Sequence, residues 1–414
     1  MTRGTSPPDR DVLLKASTAF CLMPWIHLQV RPDGKVFPCC LAEGSPVGDL
    51  HGATLRDIWN SESLRRIRLG MMRSETSPGC AKCYETEAHG GTSYRMGVNL
   101  LYAHHFPAVL STEEDGSVAR LALPLLDIRF SNICDFRCRT CNSTASSSWY
   151  EEELVLYGRL GHPKILTPTE DFESLWGQVE PLLDTVEEVY FAGGEPLVSA
   201  GARRMLDGLV QRGSRQVRLR YNTNLSKGGL RRQDLMEAWN LFDSVTVEAS
   251  LDGMRERGEY LRKGQRWADV VECRETMARI CPRVRFIITP TLSAMNILHF
   301  PDFHRDWIEK RYIAPSDIHI NLLMDPAEYR IQILPKRLKH EAAEKYRDHI
   351  DSLARGHGES AREAIAQLEA ALRFLDAEDL SGHLDDFRRR TRALDRLRKE
   401  DFCAVFPELR ELFA

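Results

Sequence analysis

Three cysteines fall close together in Ser131-Asn132-Ile133-Cys134-Asp135-Phe136-Arg137-Cys138-Arg139-Thr140-Cys141-Asn142, with the spacing C-x3-C-x2-C. Three thiolates in one loop can hold three irons of a [4Fe–4S] cube, which leaves the fourth iron open to a small molecule. A structural zinc site wants four closed protein ligands and usually C-x2-C pairs, and a bare trio of core cysteines would show no spacing rule. The spacing, and the loop's place directly after a strand, favour the cluster. A second group reads Cys21-x12-Gly34-x4-Cys39, then a gap, then Cys80-Ala81-Lys82-Cys83. Four thiolates so arranged suit iron or zinc about equally, because C-x2-C is also a zinc spacing. Cys40 reads as a spare thiol beside Cys39, and Cys273, Cys281 and Cys403 read as core or incidental.

Further chemistry-bearing residues stand at strand ends. Gly193-Gly194-Glu195-Pro196 closes one strand, and paired glycines let a backbone approach a ligand closely. Asn222-Thr223-Asn224 closes the next, and Ser250-Leu251-Asp252-Gly253, with Arg262 downstream, follows the one after. Each also has an ordinary reading, as turn chemistry for Gly194, Ser250 and Asp252 and as an ion pair for Arg262.

The elements that must position these residues change character along the chain. Residues 1–15 read as a tail. Residues 16–100 form a short, turn-rich, cysteine-rich module, in which Ile26–Val30 and Lys35–Phe37 flank Pro32-Asp33-Gly34, a hairpin signal. A short helix pair is predicted over Thr54–Arg73. Residues 101–330 alternate strands with helices, the mark of a parallel α/β architecture. Six strands are predicted: Leu125–Phe130, Val186–Ala192, Val217–Asn222, Ser244–Glu248, Val284–Thr289 and Asp317–Leu322. Helices are predicted over Ala200–Gln211, Arg232–Leu241, Trp267–Ile280 and Phe300–Arg311. Residues 331–414 are helical, with the pattern clearest in Ala361–Phe374 and Leu384–Leu397. The expected fold is thus α/β: a partial (β/α)6 TIM-like barrel with an N-terminal cysteine-rich β-hairpin module and a helical C-terminal region. In such barrels the site lies at the C-terminal ends of the strands.

With these motifs in place, the sequence resembles the radical S-adenosylmethionine (SAM) superfamily over about Phe20 to Leu323. The resemblance implies that Cys134, Cys138 and Cys141 hold a catalytic [4Fe–4S] cluster whose open iron chelates SAM. It implies that Gly193, Gly194 and Glu195 bind the SAM amino group, that Ser250 contacts its ribose side, and that Arg262 meets its carboxylate. An arginine suits that last role because its planar fork pairs bidentately with a carboxylate. The N-terminal group resembles the twitch module, the half-size form of the SPASM domain, and implies one auxiliary Fe–S cluster on Cys21, Cys39, Cys80 and Cys83. Two departures stand out. Thr140 occupies the place where the family usually has an aromatic residue, and the module precedes the barrel where it usually follows.

The implied activity is reductive cleavage of SAM to a 5′-deoxyadenosyl radical. That radical abstracts hydrogen from an unactivated carbon of a peptide or small polar metabolite, while the auxiliary cluster transfers electrons. The implied partners are that substrate and an electron donor such as flavodoxin or ferredoxin. Composition bounds the rest. The 414 residues are 43% hydrophobic and 28% charged with a net charge of −4, ordinary for a globular chain and without the basic excess that nucleic acid or anionic membrane would favour. No apolar run reaches the roughly 20 residues of a membrane span. The N-terminus lacks the apolar stretch of a signal peptide. Eleven cysteines in a cytoplasmic, reducing setting favour metal or redox chemistry over disulfides. The competing class is a non-catalytic zinc protein that binds partners through the cysteine module and helical tail.

Overall fold

The computed structural model describes residues 9–42, 44, 46–88, 91–225 and 232–413. Of the expected tail, residues 1–8 lie outside the described residues. From Asp9 the chain enters a helical turn at Val12–Ala16 that buries Leu13. Among the described residues the strands are β1 (His27–Val30), β2 (Lys35–Phe37), β3 (Gly48–Asp49), β4 (Leu125–Ile128), β5 (Arg137–Cys138), β6 (Glu188–Phe191), β7 (Arg218–Thr223), β8 (Val245–Ala249), β9 (Arg262–Lys263), β10 (Arg285–Ile288), β11 (Thr291–Leu292) and β12 (Asn321–Leu322).

The chain divides into two compact units. The first comprises Met1–Asn132, Ile165–Gly193 and Ala200–Leu219, and the second Ile133–Lys164, Gly194–Ser199 and Arg220–Ala414. Each unit is assembled from separate stretches of the chain.

In the first unit the strand order is β6-β4-β1-β2-β3. The hairpin forms as its sequence predicts, with Val30 opposite Val36 and Gly34 at φ +79°, a conformation that glycine adopts without strain. It does not stand apart as its own sheet. β1 runs parallel to β4, with His27 opposite Leu125 and Gln29 opposite Asp127. All four β1 residues are buried, the signature of a strand covered on both faces. Its two polar members are matched to β4: the Gln29 amide donates to Asp127 at 3.0 Å, and His27 Nδ1 lies 3.0 Å from the Leu125 carbonyl. The predicted helix Ala200–Gln211 forms over that range and turns Met205, Leu206 and Leu209 inward. The helix pair near residues 54–73 appears as Leu55–Trp59, closed by a Thr54/Asp57 capping box, and Glu62–Met72, capped by Ser61.

β7 begins in the first unit and continues in the second, where the order is β7-β8-β10 and β8 runs parallel to β10. The predicted sixth strand is shorter than expected. Pro290 has no N–H to offer and interrupts the strand after β10. The chain resumes as β11, which pairs with β12 in parallel, while Ile318 makes a single bridge to Ile288. Helices Trp267–Ile280 and Phe300–Glu309 cover this side with a cluster of Trp267, Phe303 and Trp307. The C-terminal region is helical as expected, in Lys336–His357, Arg362–Ala377 and Leu384–Arg398. Phe387, Phe402 and Phe406 are fully buried there. The architecture is therefore mixed α/β with mainly parallel strands and a helical C-terminal region. No helix among the described residues is long and apolar enough to cross a membrane.

Candidate functional site

In the first unit Cys21, Cys39, Cys80 and Cys83 line one cavity. Each arrives on a different local device. Cys39 follows β2 and Pro38. Cys80 ends the turn Pro78–Cys80, and Cys83 lies in the first turn of the helix Ala81–Ala88, where the helix dipole favours anionic ligands. Cys21 is held by the helix Tyr94–Leu101. Arg95 donates to the Phe20 carbonyl at 2.7 Å, and the Asn99 side chain brackets Cys21, donating to Phe20 O and accepting from Leu22 N, both at 3.0 Å. Arg95 is itself fixed by Glu87 on the helix of Cys83, its Nε 2.9 Å from Oε1.

As free thiols Cys21, Cys39 and Cys80 resist ionisation. Burial pushes Cys21 up to about 12, and the nearby Cys80 and Cys83 push the same way while Arg95 opposes them. Cys39 is raised by its hydrogen bond with Cys40 and by burial. Thiols buried together in this way are stable as thiolates only around a cation that supplies the balancing charge. The donor set thus fits a four-coordinate metal or cluster, with Arg95 beside it.

In the second unit the loop Cys134–Cys141 is built by short-range contacts. Ser148 Oγ donates to Cys134 O at 2.6 Å, Ser146 Oγ to Phe136 O at 2.6 Å, and Trp149 Nε1 to Cys138 O at 2.8 Å. The run Ser146–Trp149 clasps the loop before the helix Tyr150–Tyr157 begins. Cys138 lies in β5, which pairs antiparallel with β9 and sets Cys138 opposite Arg262. Arg262 Nη1 is 3.6 Å from the Cys138 sulfur, and Asn224 Nδ2 is 3.7 Å from that of Cys134. Gly264, at φ +113°, passes so close to Phe136 that a Cβ would lie 2.9 Å from its ring.

Burial raises all three thiols, Cys141 to about 12, and Cys138 raises Cys134 and Cys141 further. Arg262 opposes that effect at Cys138 and Cys141. Three mutually coupled thiols beside a cation again fit a bound cluster. The Asn224 Oδ1 atom, on the side chain that reaches Cys134, is buried without a hydrogen-bond partner among the described residues, an acceptor suited to an ammonium group.

The other expected residues fall as follows. Gly194 (φ +52°) and Glu195 belong to this second unit, and the Glu195 amide donates to Ile133 O at 2.9 Å beside the loop. The Glu195 carboxylate is fully engaged, accepting from Thr223 Oγ1 (2.6 Å), Asn224 N (2.8 Å) and Leu197 N (3.0 Å). Burial nevertheless pushes this carboxyl up to about 7. Ser250 donates to Asn222 Oδ1 at 2.8 Å. Arg262 is paired with Asp252, Nε to Oδ2 at 2.8 Å, and Asp252 also accepts from Thr291 N at 2.8 Å. Gly193 belongs to the first unit, at φ +85°, where a Cβ would lie 2.5 Å from that of Arg129.

Sequence reasoning missed how the C-terminal helix supports the loop. Arg139, fully buried, pairs with Asp395 at 2.5 Å and Glu400 at 2.7 Å and lies 3.6 Å over the Tyr260 ring. Arg398 pairs with Glu152 at 2.7 Å, and Arg137 reaches the same carboxylate at 2.8 Å. Cys138 is thus flanked on both sides by arginines tied into this network. The only trace in the sequence is that two arginines flank a core cysteine and must find partners.

Comparison with known proteins agrees with the first-unit geometry. Residues 21–84 match the SPASM family model, an iron–sulfur cluster-binding domain. No curated protein matches the chain in sequence. Among solved structures, it is similar to native anSMEcpe with bound AdoMet and Cp18Cys peptide (16% identity, 56% of this chain and 59% of that one, TM-score 0.39). It is also similar to native anSMEcpe with bound AdoMet (15%, 56% and 62%, TM-score 0.42) and to Streptococcus suis SuiB bound to precursor peptide SuiA (15%, 80% and 69%, TM-score 0.37). The chain spans about three fifths of the anSMEcpe chains. Residues 21–84, which carry all four thiols of the first-unit cavity, are therefore similar to an iron–sulfur cluster-binding domain of the SPASM type.

Proposed function

We propose that this chain is a radical SAM enzyme with one auxiliary Fe–S cluster. The observation that carries the reading is the second-unit loop, where Cys134, Cys138 and Cys141 stand together with Arg262 Nη1 against the Cys138 sulfur. In this reading those three cysteines hold a [4Fe–4S] cluster, and Cys21, Cys39, Cys80 and Cys83 hold the auxiliary one. With both clusters and SAM bound, the chemistry supplied is one-electron cleavage of SAM and hydrogen abstraction from an unactivated carbon of a peptide or small polar metabolite.

The chain's own residues then have distinct tasks. Three thiolates, and not four, leave one coordination position for SAM. Arg262, held by Asp252, places a fixed cation beside the thiolates, where it stabilises their charge and meets a carboxylate. The spare acceptor of Asn224 and the backbone of Gly193 and Gly194 are offered to the SAM amino group. Glu195 serves through its hydrogen bonds to Thr223 and Asn224, which hold that rim in shape. Ser250 stands for the ribose side. Four protein ligands close the auxiliary site, which makes it an electron relay supplied by a donor of the flavodoxin or ferredoxin kind. Such a protein works in a reducing compartment such as the cytoplasm.

The test is anaerobic reconstitution with iron and sulfide, followed by assay of 5′-deoxyadenosine from SAM under reduction. The wild type is expected to bind about eight irons, four per cluster, and to cleave SAM. Replacement of Cys134, Cys138 and Cys141 by Ala is expected to remove about half the iron and all cleavage. If the triple variant still forms 5′-deoxyadenosine, the reading fails; zinc in place of iron in both sites would favour a partner-binding zinc protein.

A further inference from the structure

We propose that His104, His105 and Glu187 form a site for a divalent transition-metal ion of the zinc class, separate from both cysteine groups. One ligand atom from each of the three lies within 4.8 Å of the others. His104 and His105 close a single helical turn, Ala103–His105, and Glu187 immediately precedes β6. The Nε2 of His104 is 3.1 and 3.0 Å from the two Glu187 oxygens, and the Nε2 of His105 is 2.8 Å from Oε1. Both imidazoles therefore present the same ring nitrogen to one carboxylate, with their centroids 4.3 Å apart.

The set is held in place from both sides. The Glu187 amide donates to Pro124 O at 2.8 Å, and its carbonyl accepts from Arg218 N at 2.9 Å. Tyr102, next to the histidine turn, donates to Glu188 Oε2 at 3.0 Å, and Arg218 bridges the two, with Nε 3.0 Å from Glu188 and Nη2 2.9 Å from the Tyr102 hydroxyl. Tyr102, which precedes the turn Ala103–His105, and Glu188, which follows Glu187, are thus tied together, so the ligand atoms converge before any ion arrives.

Two imidazoles and a carboxylate are ligands for Zn2+, Ni2+ or Cu2+ and a poor match for Mg2+ or Ca2+, which want oxygen donors. Three protein ligands leave a position for water. In the metal-free chain each Nε2–H faces the Glu187 carboxylate; as Nε2 binds the metal, a neutral ring exchanges that proton through solvent for one on Nδ1 and a protonated ring releases it to solvent, and the Glu187 carboxylate supplies negative charge. Such an ion ties the turn Ala103–His105 to the start of β6, far along the chain. Because only the folded chain assembles the ligands, it stabilises the fold by mass action.

The test uses full-length, cluster-loaded protein, stripped with a chelator and then dialysed anaerobically against micromolar ZnCl2. Zinc and iron are counted by mass spectrometry for wild type, the double variant His104→Ala/His105→Ala, and Glu187→Gln, and Tm is read with and without zinc. The expected result is one more zinc per chain in the wild type than in the double variant at equal iron, weakened uptake by Glu187→Gln, and a zinc-dependent rise in Tm confined to the wild type. Zinc captured by stray cysteines would appear equally in all three proteins and cancels from the comparison. Equal zinc in wild type and double variant would overturn the proposal. So would a Tm difference that is the same with and without zinc, since the three side chains would then be only a hydrogen-bonded brace.

Discussion

Cys138 and Arg262 face each other across the two-residue antiparallel pairing of β5 with β9, with Arg262 Nη1 3.6 Å from the Cys138 sulfur and its Nε 2.8 Å from Asp252. One guanidinium therefore serves a thiol and a carboxylate together, and the two tasks separate by mutation. Arg262→Met leaves Asp252 buried without its cation and is expected to cost about 3–5 kcal/mol. The double variant Arg262→Met/Asp252→Asn should regain most of that stability, as read by denaturant unfolding. It should not regain SAM cleavage, because the fixed charge beside the thiolates is still missing.

The ion pairs of Arg139 with Asp395 and Glu400 couple the cysteine loop to the end of the helix Leu384–Arg398. Arg139→Met is expected to destabilise the chain by about 3–5 kcal/mol, since two carboxylates lose a buried partner. Iron analysis should find the loss concentrated in the Cys134–Cys138–Cys141 set, with the first-unit set retained.

Cys80→Ser/Cys83→Ser removes two of the four thiols lining the first-unit cavity. Iron content should fall by about half, while uncoupled formation of 5′-deoxyadenosine persists and substrate turnover stops. Equal iron in variant and wild type would remove these two residues from the ligand set.

A pH effect is expected from His304 and His349, buried and joined Nδ1 to Nε2 at 2.9 Å between the helices Phe300–Glu309 and Lys336–His357. Burial pulls His304 down to about 3, helped by His349, and burial pulls His349 down to about 4, helped by Arg305. Folded-state values below the ordinary one of about 6.5 mean that the unfolded chain takes up protons first on acidification. The pair's contribution is present above about pH 6.5 and is lost as pH falls toward 4, amounting to about 2–4 kcal/mol between about pH 8 and about pH 5. His349→Gln should flatten that slope relative to wild type in denaturant titrations at several pH values.

What the sequence alone determined about this protein is local: periodicity and turn chemistry. The helices Ala200–Gln211 and Trp267–Ile280 occupy the predicted ranges, because apolar spacing is written into consecutive residues, and the Asp33-Gly34 turn makes its hairpin because Gly34 accepts a left-handed backbone. The cysteine spacings are legible for the same reason, since ligands of one cluster that lie on one loop must lie near one another in the chain. What only the tertiary structure decided is pairing between distant segments. β1 joins β4 because Gln29 and Asp127 match across it, and Arg139 finds Asp395 only when the C-terminal helix packs on the loop. His104 and His105 meet Glu187 only once β6 is in place. No spacing rule encodes such contacts, because the partner of a buried charge or a sheet edge is chosen by packing in three dimensions and leaves no period along the chain.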